Sequence, residues 1–146
     1  MDLSLYVIMK LLGFNFTKIQ VEKFKEGVEK LKIGTRIDVS EINEAKAGML
    51  KTKDEILAIK FKYGLDYEPG MAKLDLEGNL VISLESKKAK EVLRDWKDKK
   101  MPEDFRATLF NLILRKSNLK SLQLEEEMNL PIHIQLPTLR IGEKKE

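Results

Sequence analysis

The sequence predicts an α+β fold, a four-stranded antiparallel sheet followed by C-terminal helices. Three observations carry that reading. Between Phe14 and Glu85 apolar residues recur at every second position, the spacing of strands with one buried face. After Ser86 the spacing changes to three and four, which is helical. The chain has 146 residues with no internal repeat and no low-complexity linker, which suits one domain around one core.

The chain divides into an apolar N-terminal segment at 1–13, expected as a helix, a single α+β domain at 14–142 and a charged tail at 143–146. Phe14, Phe16, Ile19 and Val21 form the first strand, and the phase slip at Thr17–Lys18 predicts a bulge. Ile37 and Val39 begin a second strand that runs on through Glu41 to Ala47. In the third, Leu57, Ile59, Phe61, Tyr63, Leu65 and Tyr67 take every odd position. Lys60, Lys62, Gly64 and Asp66 lie among the even ones, so one face is apolar and the other wet. Pro69–Gly70 signals a turn. Leu74, Leu76, Leu80, Ile82 and Leu84 carry the fourth strand, with Gly78–Asn79 between them as either a tight hairpin or a bulge. Short connections argue for an antiparallel meander.

Ser86 is the expected N-cap of a helix containing Ala89, Val92, Leu93 and Trp96. Pro102 suits the first position of the next helix, and Glu103 and Asp104 suit its positive end. Phe105, Leu109, Phe110, Leu112, Ile113 and Leu114 give that helix a broad apolar face. Ser117 or Asn118 either breaks it or restarts it through Leu119, Leu122 and Leu124. Asn129–Leu130–Pro131 ends it, because a residue before proline avoids the α region.

Composition removes several function classes. With no cysteine there is no disulfide, thiol nucleophile or cysteine-ligated zinc. A single histidine, His133, excludes a multi-histidine metal site. No serine stands in a G-x-S-x-G elbow, and neither a P-loop nor G-x-G-x-x-G is present. His133 alternates with Ile132 and Ile134, so a solvent-facing or capped histidine is expected. Glu125, Glu126 and Glu127 point about 100° apart on a helix and cannot converge on one cation; they read as a solvated face. No enzyme, metal or cofactor is expected. Leu3 to Leu12 is apolar, yet Asp2 leads it, Lys10 interrupts it and no A-x-A pattern follows. It also falls short of the roughly 20 residues that cross a bilayer. A cytoplasmic protein is expected, and abundant Glu, Lys and Ile with little Gln resembles thermophile usage.

What remains is apolar surface. Phe61, Tyr63 and Tyr67 share one side of the third strand. Leu130, Ile132, Ile134, Leu136, Leu139 and Ile141 alternate with polar or proline residues in an extended segment. A domain with this much apolar surface either oligomerises or holds a ligand or peptide.

The stretch Leu130–Pro131–Ile132–His133–Ile134–Gln135–Leu136–Pro137–Thr138–Leu139 resembles a motif of the SecB export chaperones, in which two prolines bracket alternating apolar positions. The strand from Lys73 to Ile82, interrupted at Gly78, resembles that family's fourth strand. Phe14 to Phe24 and Leu57 to Tyr67 resemble its first and third. The likeness spans about residues 14–140 and rests on pattern and order. It implies a holdase that binds unfolded polypeptides without ATP, as a dimer or a dimer of dimers. It also implies a client groove lined by Leu130, Ile132, Ile134, Leu136 and Leu139, with Phe61, Tyr63 and Tyr67 contributing, and a partner-docking role for Asp75 near the family's contact with the SecA motor. Arg140, Ile141 and Gly142 stand where the family's motif ends in aromatics. Related domains also serve as chaperones of antitoxins, so a dedicated partner is an alternative to general clients and protein transport.

Two other functions compete. Lys87, Lys88, Lys90, Lys97, Lys99 and Lys100, with Trp96 among them, form the strongest basic cluster and suit a small nucleic-acid-binding domain. Glu91, Asp95 and Asp98 intervene, however, and the net charge is only +3. A client-free oligomeric structural protein is the third reading.

Overall fold

The computed structural model describes residues 8–45 and 54–142. Its elements run β1 (Met9–Lys23), β2 (Lys32–Ala45), β3 (Asp54–Glu68), β4 (Ala72–Glu85), α1 (Ser86–Trp96) and α2 (Glu103–Glu127). The four strands form one antiparallel sheet in the order β1-β4-β3-β2. The α+β expectation holds, with strands first and helices second.

The meander extends only from β2 to β4, because β1 crosses to the far edge and pairs with β4. Aromatic packing supplies the reason. Phe61 on β3 lays its ring over Gly78 of β4, where an added Cβ would stand 2.6 Å from the ring. The ring thereby reaches across β4 to Phe14 and Phe16 of β1, with centroids 5.2 and 6.2 Å away. Such pairs contribute about 0.5–1.5 kcal/mol each beyond the area they bury. Gly78 is therefore neither a hairpin nor a break. It sits in a continuous strand, and the irregularity falls on its partner, where Thr17 is the extra residue between Phe16 and Lys18.

The expected N-terminal helix is corrected over the part that is described. Residues 9–13 open β1, with Met9 opposite Leu84 and Leu11 opposite Ile82. An apolar run of this length reads equally well as strand or helix, and an unpaired β4 edge decides it. The rest of that segment and the tail at 143–146 lie outside the described residues. β2 begins at Lys32, earlier than Ile37, because β3 is long enough to pair Lys32 with Glu68.

The core lies between one face of the sheet and the helices. Leu57, Ile59 and Phe61 of β3, with Leu80, Ile82 and Leu84 of β4, meet Ala89 and Val92 of α1 and Phe105, Leu109 and Ile113 of α2. A second cluster joins Tyr63, Leu65, Tyr67, Leu74 and Leu76 to Leu124 and Leu130.

The helix ends differ from the expected caps by one residue. Glu85 rather than Ser86 is the N-cap of α1, and Pro102 is the N-cap of α2 rather than its first residue; neither makes a side-chain capping bond. α2 runs unbroken past Ser117 and Asn118 for 25 residues, because Ser117 and Ser121 face the sheet and are fully buried. It ends on a Schellman turn. Asn129 adopts φ 52°, its N–H reaches the Glu126 carbonyl at 3.3 Å, and the Leu130 N–H reaches the Glu125 carbonyl at 2.8 Å. Leu130 then packs with Leu124. Pro131 follows a helix already stopped.

Candidate functional site

β2 is an edge strand, so one row of its backbone N–H and C=O groups has no partner strand among the described residues. Beside Ile37–Ser40 the sheet, the end of α1 and the start of α2 enclose an open groove of about 550 Å³. Ile37, Val39, Trp96, Met101 and Phe110 supply its apolar walls, and Lys99 and Arg106 stand on its rim. Local structure explains the placement. Lys99 takes φ 58° in the tight link between the helices, which holds its ammonium 4.6 Å from the Trp96 ring. Arg106, one turn into α2, lies 4.8 Å from the Phe110 ring. Neither cation forms an ion pair with a described carboxylate. A bulge at Ser40, between Val39 and Glu41, twists the strand at the end of this stretch. Such an arrangement can take an extended chain by strand addition, with apolar side chains entering the groove and the rim favouring acidic ones.

This groove was not legible in the sequence. Trp96 and Lys99 appeared there as part of a basic cluster. In the structure that cluster is divided: Lys88 turns to Asp104, 2.8 Å away, and to Glu91. Burial disfavours the Lys88 charge, and the two carboxylates more than offset it, so its pKa rises. The Lys88 ammonium in turn holds the Asp104 carboxyl below the usual carboxylate range.

The residues expected to line the client groove fall into two groups. Phe61, Tyr63 and Tyr67 are buried at 1, 2 and 0% exposure. They are core, not client surface, because α2 and the segment after it cover that face of the sheet. Leu130 is buried with them. Ile134 is half-buried, whereas Ile132, Leu136 and Leu139 are exposed. The two grooves described here take no wall from 130–142.

His133 and Glu125 overturn their expected solvent positions. The Glu125 side chain is fully buried and that of His133 is 3% exposed, while Glu126 and Glu127 do face solvent. His133 Nδ1 lies 2.9 Å from Glu125 Oε1, and its Nε2 lies 3.0 Å from Asn118 Oδ1. Tyr63 donates to Asn118 Oδ1 at 2.8 Å, and Tyr67 donates to Glu125 Oε2 at 2.5 Å. The tyrosines project from the sheet, Asn118 and Glu125 from α2, and His133 from the extended segment. Burial raises the pKa of both phenols, and the Glu125 carboxylate adds to the effect.

On the outer face of the sheet Asp75 is already engaged. Arg36 crosses β3 over Gly64, where a Cβ would stand 2.3 Å from the guanidinium. It binds Asp66 at 2.6 Å and Asp75 at 3.1 Å. A second, polar groove of about 470 Å³ runs here between Lys18, Lys62, Lys73 and Glu77.

No group of three or more potential metal ligands occurs among the described residues, and no described helix is long and apolar enough to cross a membrane. No protein-family model matches the chain, and no curated protein does. A solved structure is similar: the SecB-like chaperone Rv1957 of Mycobacterium tuberculosis, in complex with a ChAD peptide from the Rv1956 HigA1 antitoxin. The likeness has a TM-score of 0.52 at 12% identity and covers 92% of this chain and 93% of that one. The strand and helix order derived above is thus that of a SecB-like fold.

Proposed function

We propose that the chain binds extended or unfolded polypeptide, without nucleotide, along the free edge of β2. The observation that carries this reading is the groove itself. Ile37–Ser40 presents a strand edge that no described strand pairs, directly beside Trp96, Met101 and Phe110. Main-chain bonds to a strand edge are indifferent to sequence, and a methionine and two rings adapt to many side chains. Ile132, Leu136 and Leu139 supply a further apolar surface for longer clients. That the neighbour was solved holding a peptide supports the same reading. A homo-oligomer, dimer or tetramer, and cytoplasmic work on a general or a dedicated client belong to this proposal.

Trp96 is the only tryptophan in the chain, so its emission reports on the groove. Adding a reduced, carboxymethylated model protein should shift that emission. The chain should also suppress aggregation of an unfolded protein at near-stoichiometric amounts without nucleotide. Met101→Glu and Phe110→Ser should weaken both effects by about tenfold or more, the scale of one lost apolar anchor. Unchanged emission together with no suppression would remove the reading. Binding that persists in both variants but disappears on Ile132, Ile134 and Leu136→Ser would move the site to the C-terminal segment.

A further inference from the structure

The Glu125 carboxylate has left water completely, and among the described residues His133 is the only basic side chain that contacts it. Its second oxygen is bound by Tyr67, a neutral donor. A buried carboxylate with no counter-charge is costly, whereas one paired with a protonated imidazole is compensated. The second ring nitrogen gives independent support. Nε2 lies 3.0 Å from Asn118 Oδ1, an oxygen already accepting the Tyr63 hydroxyl. Both nitrogens of His133 therefore face acceptors, and only the doubly protonated ring supplies two donors. The other groups packed around the ring do not replace that charge. β3 presents Tyr63 and Tyr67, and α2 presents Asn118 and Glu125. Lys23 of β1, at the neighbouring turn, is engaged by the carbonyls of Met128 and Asn129 and by Glu26.

We infer that His133 is a proton-operated latch for the C-terminal segment. With both ring nitrogens protonated it binds Glu125 and Asn118 and holds residues 131–136 against the core; when the ring gives one proton to solvent the latch opens. His133 is the chain's only histidine, so no second imidazole contributes to the response. Loss of the Nε2 proton sets two acceptors against each other at 3.0 Å, and loss of the Nδ1 proton does the same at Glu125. Ile134, half-buried next to the ring, becomes exposed with it, so the exposed apolar row of Ile132, Leu136 and Leu139 gains a member as pH rises. The latch operates whether or not the β2 groove takes clients.

Two readouts on the full chain test it. The first is the solvent accessibility of the His133 ring and the Ile134 methyls, read by relaxation from a dissolved paramagnetic agent at pH 5.5 and 8.5. Accessibility should rise from that of a buried ring and a half-buried side chain to that of exposed ones at the higher pH, and Glu125→Gln should abolish that dependence. Accessibility independent of pH in the native chain, or an equal rise in Glu125→Gln, would overturn the latch. The second readout needs no variant and stands if Glu125→Gln does not fold. The nitrogen-15 shifts of the His133 ring at pH 5.5 should show two protonated nitrogens while the segment is docked. A docked neutral ring, with Nε2 accepting from the Asn118 amide, would overturn it equally.

Discussion

At Gly78 an added methyl group would stand 2.6 Å from the Asn15 carbonyl oxygen and 2.6 Å from the Phe61 ring, whereas at Gly64 it would meet only the guanidinium of Arg36. Backbone and a packed ring cannot move aside, but the end of an arginine can. Gly78→Ala should therefore cost about 3 kcal/mol or more, the scale of an overpacked core. Gly64→Ala should cost about 1 kcal/mol through the displaced Arg36 bonds. Denaturant unfolding of the two variants checks the order, and a larger loss at Gly64 would contradict it. Tyr67→Phe leaves Glu125 Oε2 without the phenol it now has and should cost about 1–3 kcal/mol, the penalty for orphaning a buried acceptor. The raised phenol pKa values carry a sign as well. The folded chain keeps Tyr63 and Tyr67 neutral where the unfolded chain ionises them, near pH 10, so stability falls as pH rises above that value. Ultraviolet titration should show these two phenols ionising together with unfolding and not before it.

The helices depend on each other through Lys88 and Asp104, one near the start of each. Because the Asp104 carboxyl is held below its ordinary range, its contribution is present above the unfolded carboxylate value, near pH 4. It is lost as pH falls through the folded one. Asp104→Asn should lower Tm by about 2–4 °C at neutral pH, as a partly exposed pair of about 1 kcal/mol does in a chain this size, and by less at pH 2.5. Thermal melts at the two pH values read that difference; an equal loss at both would assign the effect to something other than charge. α2 shows how far an element can depart from its local signals. Ser117 and Asn118 look like a breaking point in one dimension. In three, the small Ser117 and Ser121 let the helix lie close to the sheet, and Asn118 is needed at Tyr63 and His133.

For the whole molecule, two side chains bridge strands by crossing a glycine, one on each face of the sheet. Phe61 passes over Gly78 toward β1, and Arg36 passes over Gly64 toward β4. Together they tie all four strands and leave β2 as an edge with one side open to the groove. Arg36 also restrains Asp75, so any partner docking there must first displace a salt bridge. Arg36→Ala should free Asp75 and destabilise the sheet by about 1 kcal/mol, or somewhat more if the two ion pairs act together, which denaturant unfolding reads directly. If the outer face docks no partner, the same substitution leaves polypeptide binding at β2 unchanged.

Residue order and composition were enough to establish the α+β class, the strand faces, the Thr17 bulge and the exclusion of thiol and multi-histidine chemistry. Each rests on period, spacing or composition, which act along the chain. Packing in three dimensions was needed to show that β1 pairs with β4, that residues 9–13 are strand, and that Phe61, Tyr63 and Tyr67 are core. Only it decided that Glu125 and His133 meet away from water, eight residues apart across a helix end. The groove belongs to the same group, since Ile37, Trp96 and Phe110 are brought together from three elements. An alternating strand reports which residues share a face but not what covers that face, and a polar residue shows no sign in one dimension of the partner that will bury it.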